Sequence, residues 1–130
     1  MLTTQSIPLY IVTDDIKGRS VYAGADITRD SIIEICPVII LPTDDTPLIH
    51  KTLLHDYYFL WEEEKNTSAI ALGYGSLYNH SDTPNADFVL VYGDNEIHFM
   101  ALYDIIAGTE ICIDYMTGRV GQSSLWFEVS

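Results

Sequence analysis

The chain has 130 residues, 48% apolar and 19% charged, enough for one domain with a buried core and too apolar for a disordered tail. Six Lys and Arg against nineteen Asp and Glu leave a formal net charge of -13, which disfavours direct nucleic-acid binding and attracts basic ligands, although the same balance can serve solubility alone. No apolar run reaches the roughly 18 residues of a membrane-spanning helix and the N-terminal MLTTQSIPLYIV lacks a secretory pattern, so the expectation is no membrane association and an intracellular protein, cytoplasmic or, in a eukaryotic or viral-host setting, nuclear.

In chain order, β signals dominate. Val21 to Ala23, Ser31 to Leu41, Phe88 to Tyr92, Glu96 to Leu102 and Glu110 to Ile113 are rich in β-branched and aromatic residues, which predicts a mostly β protein of several short sheets. Pro42 to Pro47 reads as a surface loop. Between Ile49 and Trp61, the apolar residues Ile49, Leu53, Leu54, Tyr57, Leu60 and Trp61 recur near helical spacing, whereas Tyr57-Tyr58-Phe59 favours a strand. A helical start giving way to a strand near Tyr57 is expected. Glu62-Glu63-Glu64 reads as a solvated face, and Gly93-Asp94-Asn95 as a hairpin turn, because these residues tolerate positive φ.

Cys36 and Cys112 sit in apolar β-like runs, where a thiol packs as a small hydrophobe, and an unpaired state is expected of both. There is no C-x-x-C, and His50, His55, His80 and His98 are scattered, so no metal site is implied.

Two polar interruptions carry the chemistry. Asn79-His80-Ser81-Asp82-Thr83-Pro84-Asn85 follows the apolar stretch Ile70 to Tyr78, and amide and imidazole groups at a core edge need partners, internal or from a ligand. Taken alone, the segment is an ordinary satisfied turn. Gly108-Thr-Glu-Ile-Cys-Ile-Asp-Tyr115 is a glycine turn leading into an apolar strand that ends in tyrosine, and that tyrosine alone would be a space-filling residue.

In this order, however, N-H-S-x-x-P-N and G-x-E-x-x-x-x-Y resemble the two signature motifs of the SET-domain protein lysine methyltransferases. The resemblance covers roughly Lys17 to Tyr115 and implies the β-clip SET fold with a C-terminal pseudoknot, within a single minimal domain spanning 1–130. It implies S-adenosylmethionine as methyl donor and a lysine in a basic protein segment as acceptor, such as a histone tail. A non-histone protein target, or a catalytically weak module that binds basic peptides, are the alternatives. Homodimerisation is an expectation of the same origin.

Carried over by residue, the resemblance assigns Tyr115 and Tyr57 to catalysis. Tyr57 is preferred to Tyr58 for the lysine channel because consecutive strand residues face opposite ways. Lys17, Gly18, Arg19, Ser20, Asn79, His80, Tyr115 and Trp126 are assigned to the cofactor, and Asn85 to the loop that receives the C-terminal segment. Ile113, two residues before Tyr115, occupies a position where many members carry Phe or Tyr, which predicts a channel not restricted to one methyl group. Two departures stand out. Ser20 replaces the second Gly of the G-x-G motif, adding a Cβ where close backbone approach is expected, and Asp30 occupies a turn position where Gly is frequent. The resemblance implies a lid-like segment over residues 116–130, with Leu125-Trp126-Phe127 expected either to cover the adenine or to seal the core or a dimer contact.

Overall fold

The computed structural model describes residues 7–16 and 18–115. Nine strands and one short α-helix form three sheets among these residues. β1 (Leu9–Asp14) and β2 (Gly18–Ala23) make an antiparallel hairpin. β3 (Ile32–Leu41) runs through the centre of a five-stranded antiparallel sheet. On one side of it lie β5 (Ser68–Ala71) and then β4 (Tyr58–Leu60), and on the other β8 (Glu96–Ala101) and then β7 (Ala86–Val91). β6 (Asn79–His80) and β9 (Cys112–Ile113) pair in parallel, which joins the two motif segments directly.

The strands expected from β-branched runs are present. β1, β5 and β6 lie outside the expected runs, the first because its alternation is partial, the second because its run is short and the third because its two residues fall in a segment that reads as a turn. The helical start before Tyr57 is also found, as α1 (Thr46–His50) followed by a 3-10 turn over Leu53–Asp56, with β4 beginning at Tyr58. Pro42 to Pro47 differs from the expected surface loop. A 3-10 turn covers Thr43–Asp45, Pro47 sits in the first turn of α1, where its missing N–H costs no helical bond, and Thr46 is buried. The Thr46 hydroxyl donates to the Asn66 carbonyl at 2.8 Å, so a polar side chain closes this part of the core. Asp30 and Asn95 hold left-handed turns at φ 69° and 55°, as their residue types allow.

One irregularity matters for function. Pairing between β3 and β8 steps from Ile32–Met100 to Glu34–Phe99, so Ile33 is an extra residue in β3. Such a bulge breaks the two-residue alternation. Ile33 and Glu34 therefore both face inward, and Glu34, the only charged residue of the strand, is 7% exposed. The core beneath it is aromatic: Phe99 stacks near Tyr78 at 4.7 Å between ring centres, and Phe88 meets Phe59 edge-on at 5.1 Å. Neither cysteine is in a disulfide, and Cys36 is buried and Cys112 half-buried. Burial and the neighbouring Glu34 carboxylate push the Cys36 thiol up from its ordinary range, so it packs as a neutral group.

Candidate active site

The parallel pairing of β6 with β9 sets Asn79 opposite Cys112 and His80 opposite Ile113. Tyr115 leaves β9 one residue after Asp114 and is half exposed, with its backbone N–H donating to His80 Nδ1 at 3.0 Å and its ring 5.2 Å from the imidazole. Because Nδ1 accepts this bond, the His80 proton belongs on Nε2, which donates to Asp82 at 3.0 Å. The Tyr115 hydroxyl donates to the Tyr78 carbonyl at 2.5 Å. Burial first, then the neighbouring Cys112, Asp56 and Tyr57, push this hydroxyl up to about 12. It therefore stays protonated, donates to Tyr78, and offers its oxygen lone pairs to whatever occupies the space in front of it.

That space is a cleft of about 520 Å³, lined by Phe59, Tyr78 and Phe88 from the aromatic core and by Tyr57, Tyr58 and Tyr115. Asp56 and Glu63 add carboxylates to the lining. Tyr57 and Tyr58 both line it, so the opposite-face argument for choosing between them does not apply. Tyr57 ends the 3-10 turn with ψ near -2°, outside the strand, and only Tyr58 obeys strand alternation. The Tyr58 hydroxyl is engaged by His50 Nδ1 at 2.9 Å. Ile113 is fully buried and is not among the residues that line the cleft.

On the other side of Tyr115 the hairpin closes in. The Asn79 side-chain nitrogen lies 3.2 Å from the Arg19 carbonyl, 3.0 Å from Ser20 Oγ and 2.8 Å from Glu110 Oε2. Arg19 and Ser20 thus meet Asn79, whose neighbour His80 holds Tyr115, and Gly18 begins the strand that carries Arg19 and Ser20. Ser20 has no positive φ, and its hydroxyl sits where it can take the Asn79 proton, so the extra Cβ imposes no backbone strain. Gly18, at φ 78°, faces open space where a Cβ would point. Lys17 and Trp126 lie outside the described residues. An acceptor-rich junction with an open backbone turn fits a cationic methyl donor that carries hydrogen-bonding groups.

Sequence reading missed Glu34, Glu110, Asp56 and Glu63. Glu34 had a visible signal, a lone charge inside the apolar run SIIEICPVIIL. Glu110 is the glutamate of the second motif, whose contact with Asn79 only the fold shows, and Asp56 and Glu63 are ordinary surface-type residues that only the fold places here. Among the described residues no group of His, Cys, Asp or Glu could hold a metal, and no helix is long and apolar enough to cross a membrane.

Comparison with known proteins agrees with this geometry. The SET domain family model matches residues 18–116. A histone-lysine N-methyltransferase of Schizosaccharomyces pombe, specific for lysine 37 of histone H3, is 34% identical over 122 residues, covering 93% of this chain and 78% of that protein. The solved structure of a candidate histone methyltransferase of Plasmodium falciparum superposes with a TM-score of 0.64 at 33% identity, over 82% of this chain and 91% of that one. CpSET8 from Cryptosporidium superposes with a TM-score of 0.66 at 25% identity, over 85% of this chain and 58% of that one. With its motifs paired through β6 and β9 and its tyrosine at the mouth of an aromatic cleft, the chain belongs to the SET-domain family and is a protein-lysine methyltransferase.

Proposed function

We propose that the chain methylates the ε-amine of a lysine in a basic protein segment, with a histone tail as the first candidate and S-adenosylmethionine as the methyl donor. The observation that carries this reading is the Tyr115 hydroxyl, anchored on the Tyr78 carbonyl between an open aromatic cleft and the junction of β2 with Asn79 and His80. When bound, the donor supplies an electrophilic methyl on a positively charged sulfonium. Gly18, Arg19, Ser20, Asn79, His80 and the Tyr115 backbone would hold it, and the lid-like segment expected over residues 116–130, with Trp126, lies outside the described residues.

The cleft does the rest. Free lysine has a pKa of about 10.4, and attack requires the neutral amine. Aromatic walls from Tyr57, Tyr58 and Phe88 exclude water and disfavour the ammonium form. Tyr115 is too weak an acid to serve as a base at neutral pH. Its oxygen instead accepts an N–H of the incoming amine and aims the lone pair, so the rate comes from positioning. Asp56 and Glu63 in the lining, and the net charge of -13, suit a basic substrate. The relative that acts on histone H3 supports trying histone tails first. A non-histone basic protein would use the same chemistry.

Methyl transfer from labelled S-adenosylmethionine to core histones and other lysine-rich proteins tests the reading, with label on lysine the expected result. Label on a residue other than lysine would overturn it. Asn79→Ala should weaken donor binding about tenfold, because the amide ties β2 to the motif loop. An unchanged Kd by calorimetry would remove the junction from the donor site. Since Ile113 is withdrawn from the cleft, excess enzyme should carry a lysine peptide beyond one methyl group, and mass spectra limited to the monomethyl product would contradict the roomy channel.

A further inference from the structure

Glu34 is a buried carboxyl group held by two hydrogen-bond donors, and it is not among the residues that line the cleft. Tyr78 donates its hydroxyl to Oε1 at 2.6 Å, and the backbone N–H of Tyr74 donates to Oε2 at 2.9 Å. The Cys36 thiol is the third neighbour. A group this buried costs stability unless every lone pair facing the interior is engaged, and here the engagement has a direction. Tyr74 begins, and Tyr78 ends, the 3-10 turn over Gly75–Leu77 that forms one edge of the cleft. One carboxyl group thus grips both ends of that turn.

The surrounding chain is shaped to allow it. The β3 bulge at Ile33 turns Glu34 inward, where regular alternation would send it to solvent. Gly73, at φ 69°, passes so close to Oε2 that any Cβ there would collide with the carboxyl group. Gly75 leaves room for Cys36, since a Cβ would come within 2.9 Å of its sulfur. Tyr78 itself is 1% exposed and packed on Phe99, so its ring has one available place and its main chain follows.

We propose that Glu34 is a positioning residue for Tyr115, acting through Tyr78, whose hydroxyl it holds and whose backbone carbonyl in turn holds the Tyr115 hydroxyl. The inference rests on the reading of Tyr115 as the residue that orients the substrate amine. Glu34 touches neither substrate nor donor. Its effect is to keep the Tyr78 carbonyl where the Tyr115 hydroxyl must point, so that the tyrosine's remaining lone pairs face the cleft.

The test uses the full chain with Glu34→Gln and Tyr78→Phe, each made with Tyr115 intact and in the Tyr115→Phe background. With Tyr115 intact, both should lower kcat roughly five- to tenfold, the worth of one hydrogen bond, while the lysine-peptide KM and the S-adenosylmethionine Kd stay within twofold. In the Tyr115→Phe background neither should lower kcat further, because the hydroxyl they position is already gone. Equal losses in both backgrounds would mean a general structural defect and overturn the proposal, as would unchanged kcat in both variants. If Glu34→Gln does not fold, the milder Tyr78→Phe decides alone. A readout free of activity separates this proposal from the catalytic reading it rests on. The carbon-13 resonance of the Tyr115 ring carbon bearing the hydroxyl should move in both variants, whatever Tyr115→Phe does to turnover. A resonance unmoved in Tyr78→Phe sinks the positioning role. Wild-type turnover in Tyr115→Phe sinks only the catalytic role of Tyr115.

Discussion

Replacing Tyr115 by phenylalanine should lower kcat about a hundredfold while leaving the thermal midpoint close to that of the parent chain. The ring survives the change, and with it the contact to His80 and the wall of the cleft. So does the backbone N–H bond to His80 Nδ1, which holds the segment to β6. Only the hydroxyl is lost, and its partner, the Tyr78 carbonyl, belongs to a residue that lines the open cleft, from which water can take the hydroxyl's place. The folded state therefore changes little. Chemistry changes more, because an amine misaligned by a fraction of an ångström loses most of the benefit of being bound. The loss should fall on kcat, with the peptide KM nearly constant, since the hydroxyl contributes to alignment more than to binding.

The pH profile offers a second check on the same residue. With the Tyr115 hydroxyl pushed up to about 12 by burial and by the neighbouring Cys112, Asp56 and Tyr57, it remains a donor throughout the accessible range. Activity should rise with pH as the substrate amine loses its proton, and no descending limb should come from Tyr115 below about pH 11. A fall near pH 9 or 10 that disappears in Tyr115→Phe would show that the phenol ionises far earlier than its surroundings dictate, whereas a rise there that disappears in the variant would show it acting as a base.

How much of this was legible before folding depends on the kind of information involved. Strands announce themselves because β-branched residues suit a pleated surface, and β3, β7 and β8 follow from composition. The motif residues were legible for another reason: Asn79, His80 and Tyr115 stand in fixed local spacing, and the fold brings them together by pairing β6 with β9. Glu34 stood out as a lone charge in SIIEICPVIIL, but its burial was not legible, since nothing in that run says which residue will bulge, and the bulge alone decides whether the carboxyl group faces water or Tyr78. Tyr57 was assigned to the channel by an alternation rule that its backbone does not obey, because it lies in the turn before the strand. Thr46, buried inside a stretch that looks like a polar loop, shows the same limit: its partners Asn66 and Ser68 are remote in sequence. Ser20 is the converse case, a departure that looks costly in the chain yet is seated at ordinary φ against Asn79.

Asn85→Ala should be the most destabilising substitution among the motif residues. The Asn85 amide works in both directions at once: Oδ1 accepts from the Cys112 N–H at 2.9 Å, and Nδ2 donates to the Glu110 carbonyl at 2.9 Å. Its side chain thus substitutes for a strand along the start of β9, and its own carbonyl accepts from the Leu102 N–H at 2.9 Å, tying the same residue to the end of β8. Alanine removes both side-chain bonds and leaves two main-chain groups in a half-buried place. At roughly 1 to 2 kcal/mol for each stranded group the loss is about 2 to 4 kcal/mol, a large share of the 5 to 15 kcal/mol that holds a domain together. For a domain of this size the thermal midpoint should fall by roughly 10 °C or more. Turnover should fall with it even well below that midpoint, because Tyr115 follows three residues after Cys112 and depends on the same strand for its place. Asn85→Asp sharpens the test. It keeps the acceptor for Cys112 but sets an oxygen against the Glu110 carbonyl, and so should be no better than alanine. Urea denaturation followed by circular dichroism measures both. A midpoint for Asn85→Ala indistinguishable from the parent would mean that water takes over both bonds, and that β9 is held by its pairing with β6 alone.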